Sequence, residues 1–338
     1  MLRHEERKKI MFLKLLSAFF RLYILRSNVP ISVNISVTDR CNFSCTHCNI
    51  PKRQSKELTT KEIFTLIDAL DKAGTMKISL CGGEPLLRQD IGQIIDYIKS
   101  KKITVNIVTN GALVRQKINE IKNLDFIILS YDGSPQAQKN VRGEKAYNLG
   151  LDAIEAAKSH NIKVITATVL SKDNIHEVDS ILELAEQKGF LCEFHPIYSY
   201  NLSGGSVKDL LPDKKDMAKT AEKLKKIKRK DPLERIVLSS ATLDHLRFWP
   251  HFKKQKCWAG NAYIYIDTDG RMYPCIQMIG LTDGVPFFSG PLAEGLKAMK
   301  RLPCKGCWCL PNVECNYLFS LNPKVIWNSR KLTKSFKS

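Results

Sequence analysis

Short apolar and β-branched runs alternate with longer segments of helical periodicity over the first 200 residues. The runs predict six strands, at 31–37, 76–80, 103–108, 126–130, 163–170 and 191–197. Such nearly continuous apolar runs are typical of strands buried on both faces. The segments between them predict helices near 59–73, 89–101, 113–122, 145–160 and 174–188. Repeated strand–helix units indicate an α/β fold with a parallel sheet, and the periodicity fits either an open barrel or a doubly wound sheet.

Local signals mark the ends of several predicted helices. Thr59 and Glu62 have the spacing of a capping box, which predicts that a helix begins here. Gly74 and Gly189 stand where two helices should end, because glycine adopts the left-handed conformation of a helix terminus at little cost.

The pattern changes after residue 200, where residues 201–205 read as a loop. Residues 214–230 carry nine Lys or Arg in 17 positions, with apolar residues at helical spacing, and predict an amphipathic helix with a solvated basic face. No recognised nucleic-acid motif accompanies this run, so we expect no specific nucleic-acid partner. Residues 257–320 are rich in cysteine and poor in helical pattern, and residues 329–338 read as a loose basic tail.

The N-terminal segment is basic and then apolar from Ile10 to Leu25. It is short for a membrane-spanning helix, which makes a single span the weaker interpretation, and no cleavage site indicates a signal peptide. Lys14 and Arg21 lie seven residues apart and share one helical face, which suits a helix lying in a membrane interface with its cations toward the headgroups. The alternative is a helix that docks its apolar face on the rest of the protein. The first interpretation predicts a cytoplasmic protein attached peripherally to the inner face of the membrane.

Composition narrows the class of protein. Of the 338 residues, 43% are hydrophobic and 26% are charged, which is ordinary for a globular protein and argues against global disorder or many membrane spans. The net charge of +19 fits either a basic soluble protein or attraction to something anionic. The 11 cysteines are clustered, three at 41–48 and six at 257–315. Clustering and an odd count indicate metal binding in a reducing cytosol rather than disulfides.

The first cysteine group is Cys41, Cys45 and Cys48, directly after the first predicted strand. The carboxyl ends of parallel barrel strands are where such folds place their active sites. Three thiolates can bind three irons of a cubane cluster and leave the fourth iron open, whereas most clusters use four cysteines. A structural zinc site is the alternative, but its usual pairs have a different spacing, and His47 cannot easily reach the same metal as Cys48.

This C-x3-C-x2-C spacing after a first strand resembles the hallmark of the radical S-adenosylmethionine (SAM) superfamily. Further short motifs at successive strand ends agree with the resemblance, which covers about residues 30–200. In related enzymes the matching positions contact SAM, so the resemblance implies a SAM site formed by Gly82, Gly83, Glu84, Pro85, Asn110, Ser130, Asp132 and Arg142. It assigns the GGEP segment to the methionine amino group, Ser130 and Asp132 to the ribose and carboxylate, and Arg142 to the methionine carboxylate.

The resemblance also implies a partial (β/α)6 parallel barrel, a [4Fe–4S] cluster and SAM as cofactors. Such enzymes reductively cleave SAM to a 5′-deoxyadenosyl radical, which abstracts hydrogen from a substrate carbon. An electron donor such as ferredoxin or flavodoxin is then an expected partner. The cofactors carry the difficult chemistry, and the protein supplies placement and exclusion of water.

The second cysteine group resembles the SPASM or twitch auxiliary-cluster domain. Cys257 and Cys275 flank Gly270 in the C-x12-G-x4-C pattern, and residues 267–270 predict a hairpin turn. The remaining cysteines depart from the full pattern and end at Cys315, so one auxiliary [4Fe–4S] cluster is expected and a second is in doubt. The six candidate ligands are Cys257, Cys275, Cys304, Cys307, Cys309 and Cys315. Cys257, Cys275 and Cys315 are favoured, with one of the other three; a zinc site that uses Cys304 and Cys307 is the alternative.

Together these features predict five regions. They are an amphipathic helix at 1–29, a radical SAM partial barrel at 30–205, a basic helical connector at 206–255, an auxiliary-cluster domain at 256–320 and a basic tail at 321–338. A non-catalytic iron–sulfur or zinc protein is the competing class, but it has no need for SAM motifs at successive strand ends. The expected substrate is a peptide, a protein or a lipid-like metabolite. No catalytic residue is assigned, and His195 either faces substrate or is structural, whereas Cys81 and Cys192 are expected to pack as small apolar residues.

Overall fold

The structure is a computed structural model that describes residues 4–198, 202, 207–231, 233–304 and 306–335. Side chains are described from residue 13 to residue 332 of these ranges. The predicted loop at 201–205 lies outside the described residues except for Leu202, and so do the side chains that precede Leu13.

Nine strands and twelve α-helices are present in the described ranges. The strands are β1 (Ser32–Thr38), β2 (Lys77–Gly82), β3 (Thr104–Thr109), β4 (Phe126–Ser130), β5 (Lys163–Leu170), β6 (Leu191–Pro196), β7 (Tyr263–Ile266), β8 (Arg271–Tyr273) and β9 (Val285–Pro286). The helices are α1 (His4–Tyr23), α2 (Thr60–Ala73), α3 (Ile91–Ser100), α4 (Val114–Ile121), α5 (Pro135–Arg142), α6 (Ala146–Ser159), α7 (Val178–Lys188), α8 (Lys214–Lys230), α9 (Ser240–Leu246), α10 (Leu292–Ala298), α11 (Leu310–Phe319) and α12 (Pro323–Ser335).

Strands β1 to β6 form a parallel sheet in chain order, as the sheet order 6-5-4-3-2-1 shows. A doubly wound sheet would reverse its order at a switch point, so the sequential order decides for the barrel. The barrel does not close, because the second edge of β1 pairs with β7 and not with β6. The predicted partial (β/α)6 barrel is confirmed, and the apolar side chains of the strands form its core.

Helix ends follow the local signals. Thr59 and Glu62 form the reciprocal hydrogen bonds of a capping box at the start of α2, and Gly74 ends it with φ +98°. Gly189 ends α7 in the same left-handed conformation. In the basic helix α8, Met217, Ala221 and Leu224 are buried, as its apolar spacing predicts.

The C-terminal cysteine region continues the barrel sheet through β7, β8 and β9. The predicted hairpin turn lies between β7 and β8, with Gly270 at φ +82°. Two expectations are wrong here. The region contains the helices α10 and α11, and the predicted loose tail is helical over Pro323–Ser335. Helix α11 buries Leu310, Asn312, Val313, Asn316 and Phe319 on one half of its surface, and the two buried asparagines interrupt the apolar stripe that would have marked it in the sequence.

Helix α1 docks on the protein through one face. Ala18 and Leu22 are buried against Trp258 and Phe319. Lys14 forms a 3.0 Å ion pair with Asp71, and the Arg21 guanidinium donates to the Ala73 carbonyl at 2.8 Å. The predicted orientation of these two cations toward lipid headgroups is therefore wrong, because they anchor the docked face. No helix among the described residues is long and apolar enough to cross a membrane.

Candidate functional site

A cavity of about 380 Å³ opens at the carboxyl ends of the barrel strands. The loop that follows β1 brings Cys41, Cys45 and Cys48 to one side of it. Ala167 and Val169 of β5 and His195 of β6 line the opposite wall. This is the position that parallel barrels use for their active sites.

Hydrogen-bond donors point at two of the three thiols. Asn110 Nδ2 lies 3.8 Å from Cys41 Sγ, and Arg142 Nη1 lies 3.7 Å from Cys45 Sγ. Burial raises the pKa of all three thiols, and the Arg142 charge opposes this rise at Cys45 and Cys48. Hydrogen bonds to sulfur are a normal feature of iron-bound thiolates, so this surrounding fits a cluster. Among the described residues, no three His, Cys, Asp or Glu side chains are close enough to hold a single metal ion.

The glycines of the GGEP segment lie under the cysteine loop. A Cβ on Gly82 would clash with the Thr38 carbonyl oxygen, and one on Gly83 would clash with the Arg40 carbonyl oxygen. Glycine is therefore required here for close packing of two loops, and it also leaves backbone exposed to the cavity, which both residues line.

Glu84 is fully buried and is not part of the cavity lining. Its carboxylate accepts hydrogen bonds from Thr109 Oγ1 at 2.8 Å, from the Asn110 amide at 2.8 Å and from the Leu86 amide at 3.1 Å. Burial raises its pKa to about 7, against the opposing effect of these donors. Glu84 thus ties the ends of β2 and β3 together and positions Asn110.

Asp132 and Arg142 form a buried ion pair in which Arg142 Nε donates to Asp132 Oδ2 at 2.7 Å. The other carboxylate oxygen of Asp132 accepts from the Val169 amide at 2.8 Å. Arg142 and Ser130 line the cavity, whereas Asp132 lies behind them.

Two histidines face the cavity. Burial lowers the pKa of His47 to about 4, and the Arg142 charge adds to this effect. The His47 ring is therefore neutral at pH 7. His195 lies on the opposite wall, with Nε2 3.7 Å from a carboxylate oxygen of Glu193. His195 thus lines the cavity, and its contact with a substrate stays a prediction.

The structure brings most of the predicted site together. Lining residues among the predicted ones are Cys41, Cys45, Cys48, Gly82, Gly83, Asn110, Ser130 and Arg142. Glu84, Pro85 and Asp132 are buried behind this layer, so their direct contact with SAM stays a prediction.

Sequence reasoning missed part of the far wall, including Ile197, Tyr198 and Pro311. Ile197 and Tyr198 follow β6, and Pro311 lies at the start of α11. These positions were only a weak signal for the cavity, because tertiary structure alone brings α11 to the barrel mouth. Cys309, predicted as an auxiliary ligand, also lines this cavity and accepts a hydrogen bond from the Tyr198 side chain.

The other C-terminal cysteines come from four chain segments around Tyr263. Cys257 Sγ lies 3.8 Å from the Tyr263 hydroxyl. Burial raises the pKa of that hydroxyl, and the Cys257, Cys307 and Cys315 thiols add to the rise. Cys275 and Cys315 pack against one hydrophobic cluster, whereas Cys257 and Cys304 are exposed. Cys192 is buried as expected, and Cys81 is partly buried beside Tyr265.

Known structures share the fold. The Streptococcus suis protein SuiB bound to S-adenosylmethionine aligns with 81% of this chain and 67% of its own, with a TM-score of 0.66 and 16% identity. Native anSMEcpe with bound AdoMet and Kp18Cys peptide aligns with 80% of this chain and 81% of its own, with a TM-score of 0.64 and 17% identity. At these identities the likeness shows the fold alone.

Sequence comparison finds a relative of higher identity. Fe-coproporphyrin III synthase of Methanosarcina barkeri (strain Fusaro / DSM 804) is 30% identical over 173 residues, which span 48% of this chain and 43% of that protein. The match therefore covers less than half of the relative's length. Residues 35–185, which contain the cysteine triplet, part of β1 and all of β2 to β5, match the Radical SAM superfamily. The barrel part of this chain, residues 35–185, is therefore similar to the radical SAM superfamily.

Proposed function

We propose that the chain is a radical SAM enzyme that abstracts hydrogen from a substrate carbon. The observation that carries the proposal is the convergence of Cys41, Cys45 and Cys48 on one cavity at the barrel mouth. The bound cluster and SAM would supply a 5′-deoxyadenosyl radical there. A non-catalytic scaffold or electron carrier needs no such cavity beside its metal ligands.

The chain's own residues would hold and shield the reactants. Gly82 and Gly83 present backbone to the cavity, and Asn110, Ser130 and Arg142 present polar side chains on the same side. The opposite wall is largely apolar and would keep water from the reacting carbon, as radical chemistry requires. His195 and Tyr198 are polar groups on that wall that a substrate would meet.

Cleavage of SAM tests the proposal. After anaerobic reconstitution with iron and sulfide, dithionite and SAM should release 5′-deoxyadenosine. The variant with Cys41, Cys45 and Cys48 all replaced by alanine should release none. Cys192→Ala is the matched control, because Cys192 is buried in β6 away from both cysteine groups. Release of 5′-deoxyadenosine by the triple variant would overturn the proposal.

For the auxiliary cluster we propose the ligands Cys257, Cys275, Cys307 and Cys315. Three of them lie near Tyr263, and the fourth, Cys275, packs against the same hydrophobic cluster as Cys315. Cys257 and Cys304 are both exposed, but Cys257 lies 3.8 Å from the Tyr263 hydroxyl and Cys304 is not among the thiols that act on Tyr263. Cys309 faces the barrel cavity, so Cys304 and Cys309 are proposed as the two spare thiols.

The substrate remains a peptide, a protein or a lipid-like metabolite in this proposal, with ferredoxin or flavodoxin as electron donor. SuiB bound to the precursor peptide SuiA and anSMEcpe with Kp18Cys peptide support the peptide class. The name of the sequence relative, Fe-coproporphyrin III synthase, points instead to a small molecule. Incubation with candidate precursors and 5′-deoxyadenosine quantification would separate them, because a true substrate should stimulate SAM cleavage.

We also propose that α1 attaches the protein peripherally to an anionic membrane. The face of α1 opposite its docked side exposes Leu13, Leu16 and Phe20, and Ile24 directly after the helix continues this face; each of the four is more than half exposed. Apolar side chains at this spacing form a continuous stripe. Arg26 follows the stripe and is exposed, and the net charge of +19 suits anionic lipid, to which each nearby cation contributes about 1 kcal/mol.

Co-sedimentation with phosphatidylglycerol-containing vesicles tests this attachment. The double variant Phe20→Ser, Ile24→Ser should lose vesicle binding, whereas Leu281→Ser, which changes an equally exposed leucine of the cysteine region, should keep it. Equal binding by all three proteins would contradict the proposal. Concentration-dependent dimerisation that the double variant abolishes, without vesicle binding, would assign the stripe to a second copy of the chain instead.

A further inference from the structure

The Arg142 guanidinium lies between a carboxylate and a cluster thiol. Its Nε donates to Asp132 Oδ2 at 2.7 Å, and its Nη1 lies 3.7 Å from Cys45 Sγ. The side chains of Arg142 and Asp132 are 7% and 0% exposed. Charges buried this deeply interact strongly with their neighbours, because little solvent screens them.

Asp132 is fixed in place independently of Arg142. Its second carboxylate oxygen accepts from the Val169 amide at 2.8 Å, and its carbonyl accepts from Asn174 Nδ2 at 3.1 Å. Its amide donates to Gln138 Oε1 at 3.3 Å. The carboxylate therefore orients Arg142 toward Cys45, and both of its oxygens are already engaged.

The two charges act on Cys45 with opposite signs. Arg142 is the cation next to the Cys45 sulfur, and Asp132 is the anion that holds the same guanidinium through Nε. A buried cation and a buried anion thus lie close to one cluster thiol.

We infer that Arg142 and Asp132 set the reduction potential of the cluster bound by Cys41, Cys45 and Cys48. The inference rests on the proposed function, since it needs a cluster at these thiols. Reduction adds one electron to the cluster, so a nearby cation favours the reduced state and a nearby anion disfavours it. Net charge and hydrogen bonds to sulfur are established determinants of such potentials. Arg142 and Asp132 are tuning residues in this account, whatever contact Arg142 also makes with SAM.

An EPR-monitored redox titration of the reconstituted protein without SAM tests the inference. Arg142→Gln removes the cation and should lower the midpoint potential. Asp132→Asn removes the anion but keeps a hydrogen-bond acceptor, and it should raise the potential. Arg142→Lys should stay near wild type. Arg115→Gln is the matched control, because Arg115 forms a similar ion pair with Asp152 on the exposed surface.

The outcomes separate this inference from the proposed function. Unchanged potentials in both Arg142→Gln and Asp132→Asn, or shifts of the same sign, would overturn the tuning role. If Arg142→Gln does not hold the cluster, the sign of the Asp132→Asn shift decides alone. Absence of any cluster signal from these three cysteines in the wild type would instead overturn the proposed function.

Discussion

The two cysteine groups are built in different ways. Cys41, Cys45 and Cys48 lie on one loop after β1, and the ends of neighbouring strands fix that loop from below. The C-terminal candidates come from four segments: before β7, after β8, the stretch ahead of α11, and α11 itself. Local spacing alone therefore predicts the first set of proposed ligands. In the second group, tertiary packing determines which thiols lie close together. Its six cysteines are two more than one four-cysteine cluster needs.

The largest expected effect is the loss of iron when either cysteine group is mutated. Wild-type protein should bind about eight irons, as two four-iron clusters. The Cys41, Cys45 and Cys48 triple alanine variant should keep about four of them, and Cys275→Ala, Cys315→Ala should keep the other four. Iron and zinc analysis by mass spectrometry measures this. Four irons and one zinc in the wild type would favour the zinc alternative for the second group.

An intermediate effect distinguishes ligands from spare thiols within the second group. Cys307→Ala should lose the auxiliary cluster signal, because Cys307 is proposed to complete the set around Tyr263. Cys304→Ala should keep it, because the exposed Cys304 is proposed as spare. Mössbauer spectra of iron-57 reconstituted proteins would show the difference. The reverse result would exchange the two assignments.

The smallest expected effect concerns Glu84, the buried carboxylate that ties the ends of β2 and β3 together beside the first cysteine group. Burial raises the pKa of Glu84 from 4.5 to about 7, so the folded state holds the Glu84 proton more tightly than the unfolded state. Its contribution to stability is complete below pH 4.5 and declines as the pH rises toward about 7. Glu84→Gln removes this titration, so the difference in unfolding free energy between wild type and variant should change across that range. Urea denaturation at several pH values measures it, and a pH-independent difference would contradict the burial argument.

Sequence reasoning found the elements whose signals are local. The six barrel strands are continuous apolar runs, and the capping box and helix-ending glycines of α2 and α7 act over a few residues. The basic helix α8 has the predicted bounds. Within the first site, the cysteine triplet and the strand-end motifs were predicted for the same reason.

What the sequence could not show depends on contacts between distant segments. Helix α11 buries two asparagines among its apolar side chains, so its sequence pattern has no clear stripe. Glu84 turns away from the cavity because β3 supplies its donors, and Lys14 and Arg21 turn toward the barrel because Asp71 and the Ala73 carbonyl lie there. The position of Cys309 in the barrel cavity depends likewise on where α11 begins.

The central claim is that Cys41, Cys45 and Cys48 leave one iron of their cluster open for SAM. Electron–nuclear double resonance on the dithionite-reduced protein, with SAM labelled by nitrogen-15 at its amino group, tests this most directly. We expect SAM to change the EPR signal of one cluster and to add a nitrogen-15 coupling, both absent from the triple alanine variant. A reduced-cluster spectrum unchanged by SAM, with no nitrogen coupling, would contradict the account.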